Sequence, residues 1–381
     1  MKHILVLSST FPLNKRCSIN PSVKNLILPL LKNLKITLLL PDHTKLDVSD
    51  LEDKNIKIIK YKYFWPRSFQ KLTYGFGIIP NIWSNPFLIL EVIPFFVFQV
   101  RAIKKILKTE KIDVILANWA IPSGLSAILS VLPQSTKVIV YIHGSDANIK
   151  NFIYQKLLGF TLNRSDFVIA VSKTLAQKLA QDFNISNVAV IPQGIEISKP
   201  NVKTRKHQIV FAGRLIKNKG AKNLIDAFRI LKLKHPKYKL LIIGDGPQGR
   251  YLEKYVNKNN ISNIWFTGNL PNAKLLGIFR ESMLFVFPSK LPEGLPNVLL
   301  EAGISKLPIL TNDVGGVRDL ISEQSGYFTK PEPVSIAKKI NSILSNYQDA
   351  TSKSNILYKK IKEKFSIQKS ARNIFRIINN P

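Results

Sequence analysis

Two carboxylates eight positions apart, Glu293 and Glu301, frame the stretch EGLPNVLLEAG in a 381-residue chain that holds only 24 acidic residues. They lie within Leu284–Gly316, which reads as buried strand, loop, helix and second buried strand. Leu284–Phe287 is an apolar run too short for a helix, and Pro288 ends it. The loop Ser289–Leu295 follows, and Pro296 stands where a first helical turn tolerates proline. The helix takes Asn297–Ser305, and Pro308–Leu310 opens the next strand. A loop feeding a helix N-terminus after a parallel strand is a common ligand seat. There the N–H groups of Gly294, Leu295 and Asn297 can meet anionic or hydroxyl oxygens. Glu301 can accept from a diol such as a ribose, and Glu293 from hydroxyls in front of the loop. A carboxylate favoured by the helix dipole plus a solvated mid-helix Glu would give the same spacing, so spacing alone leaves both accounts open.

The cations that could complement these acids follow the strand Ile209–Ala212, in GRLIKNKG. Gly213 lets the backbone turn sharply, Arg214 offers a bidentate fork, and Lys219 adds a point charge. Together they could neutralise a diphosphate; as isolated residues they would be ordinary surface charges. Further on, Gly244, Gly246 and Gly249 in KLLIIGDGPQG spell a literal G-x-G-x-x-G after a strand, but the dinucleotide reading fails. The ribose-binding acid expected about 20 residues later is absent from IWFTGN, Ile264–Asn269. In the first half, His3–Ser8 is a continuous apolar strand suited to the middle of a parallel sheet, and further strands are expected at Ile36–Leu40, Val114–Ala117, Lys137–Ile142, Phe167–Val171 and Val188–Ile191. Polar loops follow several of them: NWAIPSG from Asn118, and HGSD from His143 to Asp146. His143 could bond a sugar hydroxyl or be a satisfied core histidine; Asp146 could orient an acceptor or cap the next helix.

EGLPNVLLEAG resembles the Glu-x7-Glu motif of the retaining glycosyltransferases of family 4, which have a GT-B fold. Gly213-Arg214 with Lys219-Gly220 is similar to that family's diphosphate-binding element, and Gly-Asp-Gly-Pro at Gly244–Pro247 is one of its signatures, in a loop near the nucleotide. The resemblance implies two Rossmann-like doubly wound parallel-sheet domains facing a central cleft. Their expected bounds are an acceptor-side domain at 1–200, a nucleotide-sugar-binding domain at 201–360, and a C-terminal helix at 361–381 packing back on the first. It implies donor contacts from Gly213, Arg214, Lys219, Gly244, Gly246, Gly294, Leu295, Asn297 and Glu301. Catalytic roles fall to His143, Glu293, Arg214 and Lys219, and acceptor-side positions to Asn118, Trp119 and Asp146. His143 matches a His-Gly loop that faces the donor sugar in the family. Two departures stand out. The loop Thr10–Pro21 lacks the paired glycines that many members have there, and Gln193-Gly194 replaces the usual Asn-Gly. No catalytic nucleophile is implied, and with no Asp-x-Asp motif neither metal nor cofactor is expected.

Composition bounds the rest. Length and 45% hydrophobic content fit two α/β domains. The single Cys17 excludes an internal disulfide and a cysteine metal cluster and fits a reducing cytoplasm. The net charge of +32 is spread over both halves, 25 basic against 12 acidic residues in 1–200 and 31 against 12 beyond. An anionic membrane surface attracts such a chain, and a lysine-rich proteome would also produce it. Residues 61–100 carry Tyr61, Tyr63, Phe64, Trp65, Phe69, Tyr74, Phe76, Trp83, Phe87, Phe95, Phe96 and Phe98, with Lys60, Lys62, Arg67 and Lys71 at the start. That mixture suits a membrane interface or a lipid-linked acceptor, or core aromatics beneath a long loop. It has no nucleic-acid motif beside it. No uninterrupted apolar run reaches the roughly 18 residues of a spanning helix, and Pro80, Pro86 and Pro94 are expected to break any long helix here. The N-terminus is too short in apolar core for a signal peptide. The sequence therefore suggests a cytoplasmic transferase, peripheral on the inner face of the cell membrane, moving sugar from a nucleotide sugar to a lipid-linked or cell-envelope saccharide. Alternatives are a soluble transferase making a small glycoside, or a non-catalytic sugar-nucleotide or polyanion-binding subunit.

Overall fold

The computed structural model of the chain describes residues 1–13, 22–51, 53–75, 77–131, 136–144, 146–198, 200 and 204–379. Most of the loop Thr10–Pro21 with Cys17, Phe76, Ser145 and part of the linker Ile197–Gln208 lie outside the described residues.

The chain divides into two compact units, Met1–Gly194 with Ile367–Pro381, and Ile195–Ser366. In unit 1, β1 (His3–Leu7), β2 (Lys35–Pro41), β3 (Ile56–Tyr61), β4 (Val114–Asn118), β5 (Lys137–Ile142), β6 (Phe167–Ala170) and β7 (Val188–Val190) form one sheet. Its order is β3-β2-β1-β4-β5-β6-β7 and every pairing is parallel. Unit 2 holds β8 (Lys206–Ala212), β9 (Lys239–Ile243), β10 (Ile264–Gly268), β11 (Ser282–Phe287), β12 (Ile309–Thr311) and β13 (Tyr327–Phe328). These are also parallel, in the order β10-β9-β8-β11-β12-β13. The central strands are continuous β-branched and Leu runs because helices cover both faces. Ile4–Leu7 and Leu284–Val286 have no exposed surface. Each sheet reverses its winding direction once, between β1 and β4 and between β8 and β11, so each has a crevice at the carboxyl ends of those strands.

The terminal helix Ile367–Asn379 belongs to unit 1 and packs on the helix Ser22–Leu30. Ile374 and Ile378 are fully buried there, Ile377 only half, and Lys2 Nζ donates to the Ile378 carbonyl at 2.7 Å. Gly194 allows the approach. Its φ is +75°, and a Cβ there would meet Ile367 Cα at 2.8 Å.

The aromatic segment divides between core and surface. Tyr61, Tyr63, Tyr74 and Phe95 are buried, Tyr63 edge-on to Phe95 at 5.1 Å. Trp65, Phe69, Trp83, Phe87 and Phe98 are exposed. The expectation that its prolines break any long helix is overturned. Pro80 lies in the first turn of the helix Ile78–Ser84, Pro86 opens the 3-10 turn Pro86–Glu91, and Pro94 lies in the first turn of the helix Val92–Thr109. A first turn requires no N–H from the ring nitrogen, so proline starts these helices instead of breaking them. The result is a 24-residue helical stretch, Pro86–Thr109, long and apolar enough by length and composition to cross a membrane. Its exposed side runs from Ile93, Val97 and Phe98 to Arg101, Lys104, Lys105 and Lys108, while Phe95, Gln99, Ile103 and Ile106 face the unit.

Ile374→Ala should open a cavity costing roughly 2–5 kcal/mol. Amide exchange should rise across Ser22–Leu30 and stay unchanged across Asn297–Ile304, as hydrogen–deuterium exchange would show.

Candidate active site

In unit 2 the sequence-predicted residues assemble at the β8/β11 switch point. After β8, Gly213 N donates to the Ile243 carbonyl at 3.0 Å, and the chain turns through Arg214 and Leu215. The Gly244–Gly246 loop after β9 lies directly on this turn. Leu215 N donates to Asp245 O and Gln248 N to Leu215 O, both at 2.9 Å. A Cβ on Gly244 would run into the Gly213 carbonyl, and one on Gly246 would stand 2.6 Å from that of Leu215. These glycines therefore serve a backbone-on-backbone contact that shapes the Arg214 turn.

Lys219 ends the short 3-10 turn Lys217–Lys219 and is buried, its Nζ 5.1 Å from the Phe287 ring centroid and ion-paired with Glu293. The loop bearing Glu293 is stitched to that turn, since Lys290 N donates to the Asn218 carbonyl at 2.8 Å. From the other side Gly316 N donates to the Glu293 carbonyl at 2.9 Å, and Gly315, at φ +54°, passes so close that a Cβ would stand 2.6 Å from Glu293 N. Arg214 is half-buried, and burial lowers the pKa of its guanidinium while the charge of Glu293 supports it. Gly294 and Leu295 are buried where the loop enters the helix Asn297–Ile304, with Pro296 as its cap. Glu301 lies further along that helix and accepts from Asn272 Nδ2 at 2.7 Å; burial pushes its carboxyl up to about 7.

Unit 1 has its own constellation at the β1/β4 switch point. Asn118 ends β4 fully buried, with Nδ2 donating to the Leu7 carbonyl at 3.1 Å and Oδ1 3.2 Å from His143 Nε2. The other ring nitrogen, Nδ1, takes a bond from Gln193 Nε2. That arrangement places the ring proton on Nε2, and burial pushes the imidazole down to about 3, so it is neutral. The ring meets Trp119 and Tyr141 in tilted contacts, with centroids 4.7 and 4.6 Å away. Trp119 has φ +67°, a rare conformation for a bulky residue. Asp146 is buried and pushed up to about 6 by burial; its oxygens accept from Gly144 N at 3.0 Å and Ala120 N at 3.3 Å. These bonds pin the backbone on both sides of the His143 loop, at Gly144 and at Ala120.

Sequence reasoning did not list Gln193 or Asn272 among the site residues, although each holds a titratable side chain of the site. The Gln193 signal was present as a departure from the Asn-Gly usual in similar chains. Asn272 carries no local signal, since it reaches Glu301 across 29 positions.

The class of molecule is now defined: two Rossmann-like domains, the second with a cationic turn and a carboxylate loop at its switch point, the GT-B glycosyltransferase fold. Anabaena HepE in complex with UDP-glucose superposes with a TM-score of 0.75 at 16% identity over 100% of both chains, which shows the fold. Residues 60–199 match the family model described as Glycosyltransferase Family 4, and residues 193–364 the one described as Glycosyl transferases group 1. The two stretches join without a gap, and the chain belongs to glycosyltransferase family 4. Relatives include the teichuronic acid biosynthesis glycosyltransferase TuaC of Bacillus subtilis, so named provisionally, 30% identical over 58% of each chain. The gpi3 subunit of phosphatidylinositol N-acetylglucosaminyltransferase of Schizosaccharomyces pombe is 28% identical over 58% of this chain and 50% of its own. The chain thus spans only half or somewhat more of these two relatives.

Because the folded state raises the pKa of Glu301 from 4.5 to about 7, it binds more protons there than the unfolded chain, and its stability falls as pH rises through that window. Glu301→Gln keeps the Asn272 bond and removes the charge. Discounted for partial exposure, it should raise the Tm by ~2–4 °C at pH 8. The gain should vanish near pH 4.5; an equal gain at both pH values would contradict the buried-carboxylate account.

Proposed function

We propose that the chain transfers a hexosyl unit from a nucleotide-diphosphate sugar, with retention of configuration, to a lipid-linked or cell-envelope saccharide at the inner face of an anionic membrane. The observation that carries this reading is the convergence of Arg214, Lys219 and Glu293 at the switch point of the second sheet. Arg214 and Lys219 stabilise charge growing on the leaving diphosphate, a contribution made in the transition state. Glu301 holds the ribose, and Glu293 with the Gly294–Asn297 amides fixes the sugar. His143 is neutral, with its ring nitrogens engaged by Asn118 and Gln193, and carries no proton to the leaving group. Positioning supplies much of the rate. The two fixed cations do the work for which other transferases use a metal, so transfer runs without one.

The UDP-glucose held by HepE supports a nucleotide sugar as donor, and the names of TuaC and gpi3 support an envelope or lipid acceptor. The membrane reading rests on the net charge of +32 and on helix faces that pair cations with exposed rings. Arg101 lies 5.4 Å from the Phe98 centroid, Lys156 4.5 Å from that of Phe152 and Arg164 4.6 Å from that of Phe160.

The test is thermal stabilisation by a panel of nucleotide sugars. At ~100-fold saturation the cognate donor should add roughly 2.7 kcal/mol, and Arg214→Ala/Glu301→Ala should abolish the shift. A well-folded sample that no nucleotide stabilises would argue for a non-catalytic relative. With donor and acceptor in hand, excess EDTA should leave the rate unchanged; a loss restored by Mg²⁺ would refute metal independence. Flotation with anionic vesicles should recover the chain at low salt and progressively less as salt screens the contact, whereas no recovery at any salt would remove the membrane from the account.

A further inference from the structure

We propose that a cavity of about 470 Å³ at the carboxyl ends of β2 and β3, separate from the His143 constellation, binds a phosphate or diphosphate group carried on a lipid. This deepens the lipid-linked acceptor reading and rests on it. The cavity volume lies within the usual range for a ligand site, and five of the side chains around it present donors or positive charge. His43, Lys45, Arg67, Gln70 and Lys71 all line it. Lys45 N donates to His43 Nδ1 at 3.1 Å, so the remaining ring nitrogen, Nε2, carries the hydrogen. Arg67 is aligned by a two-pronged pairing with Asp42, Nε to Oδ2 and an Nη to Oδ1, both at 2.7 Å. Asp42 is committed to Arg67, and the nearby buried Glu91 spends its carboxylate on Lys71 N and Leu72 N, both at 3.2 Å, so the ammonium groups of Lys45 and Lys71 are not paired at contact. Among the described residues neither lysine has an acidic partner within ion-pair distance.

Gln70 adds an independent observation. Its Oε1 accepts from Tyr63 N at 2.7 Å and Phe64 N at 3.3 Å, while its buried Nε2 has no hydrogen-bond partner. A buried amide donor without an acceptor is costly, and an oxyanion in the cavity it lines would supply one. The wall is held in place, because Asn81 Nδ2 donates to the carbonyls of Lys71, Leu72 and Tyr74 at 3.2, 3.0 and 2.6 Å. A phosphate needs donors and positive charge, and this wall offers both.

The lipid follows from what borders the cavity. Along 65–71, exposed Trp65 and Phe69 alternate with lining Arg67 and Gln70; along 81–90, exposed Trp83, Phe87, Ile89 and Leu90 alternate with lining Asn81, Asn85 and Leu88. Trp65, Trp83 and Phe87 are each at least 80% exposed. Hydrocarbon attached to the phosphate would cover this apolar rim, as isolated phosphate would not.

The test is hydrogen–deuterium exchange of the full chain with farnesyl diphosphate, inorganic pyrophosphate and farnesol as separate probes, and UDP as a fourth. Farnesyl diphosphate should slow exchange across residues 65–90, and Lys45→Ala/Lys71→Ala should need at least tenfold more for the same protection. Both lysines are exposed, so the double variant should fold normally. Equal protection by pyrophosphate would make this a free-anion site and overturn the lipid; equal protection by farnesol would overturn the phosphate. No protection of 65–90 by any probe would overturn the site itself. UDP reports separately on 213–219 and 293–301, so the donor reading stands or falls on its own.

Discussion

The ion pair between Lys219 and Glu293 is the constraint around which unit 2 is arranged. A lysine as buried as this one pays a desolvation cost that its partner offsets only when the two are held at contact. Here the backbone enforces contact. The Lys290–Asn218 bond, the passage of Gly315 beside Glu293 and the seating of Gly220 against the Pro288 carbonyl fix the two loops together. Glu293 also supports the charge of the neighbouring Arg214, so one carboxylate acts on two cations at this end of the sheet. For the proposed donor, a diphosphate would meet a preorganised cationic turn and would compete with Glu293 for Lys219. The freed carboxylate could then accept from a hydroxyl.

Unit 1 solves the opposite problem. Its switch point contains a histidine that the protein keeps uncharged, with each ring nitrogen committed to an amide side chain and the ring packed against Trp119 and Tyr141. Asp146, one turn away, spends its charge on backbone amides instead of on the imidazole. A neutral imidazole with both nitrogens engaged, beside strained backbone, is a structural element and a poor agent of proton transfer. The division of labour between a charged seat in one unit and a neutral wall in the other follows from these residues alone.

Much of this was legible in the sequence because the signals are local. Continuous apolar runs announced the parallel strands, and the Gly213-Arg214, Gly244–Gly246 and Glu293–Glu301 spacings announced the second unit's loops. What escaped was non-local or positional. Gln193 and Asn272 act across 50 and 29 positions, and no window of sequence links them to their partners. Pro80, Pro86 and Pro94 were read as breakers because composition does not say where a first turn begins; one residue of register separates a proline that ends a helix from one that starts it. The aromatic segment satisfied both of its readings at once, since alternate residues of the same stretch serve core and surface. Composition averages over that distinction.

The helix Ile367–Asn379 has a consequence for how the molecule is made. Unit 2 is continuous in the chain, from Ile195 to Ser366, and its two ends pair with each other. Unit 1 is discontinuous: the helix Ser22–Leu30 packs against a segment that leaves the ribosome only after all of unit 2. Domains ordinarily fold from the N-terminus as they are synthesised. Here that order is inverted for the final step. Unit 2 can close while unit 1 still waits for its last helix, and during that interval the surface of Ser22–Leu30 that this helix will meet, on the older half of the nascent chain, is open to chaperones, or to lipid.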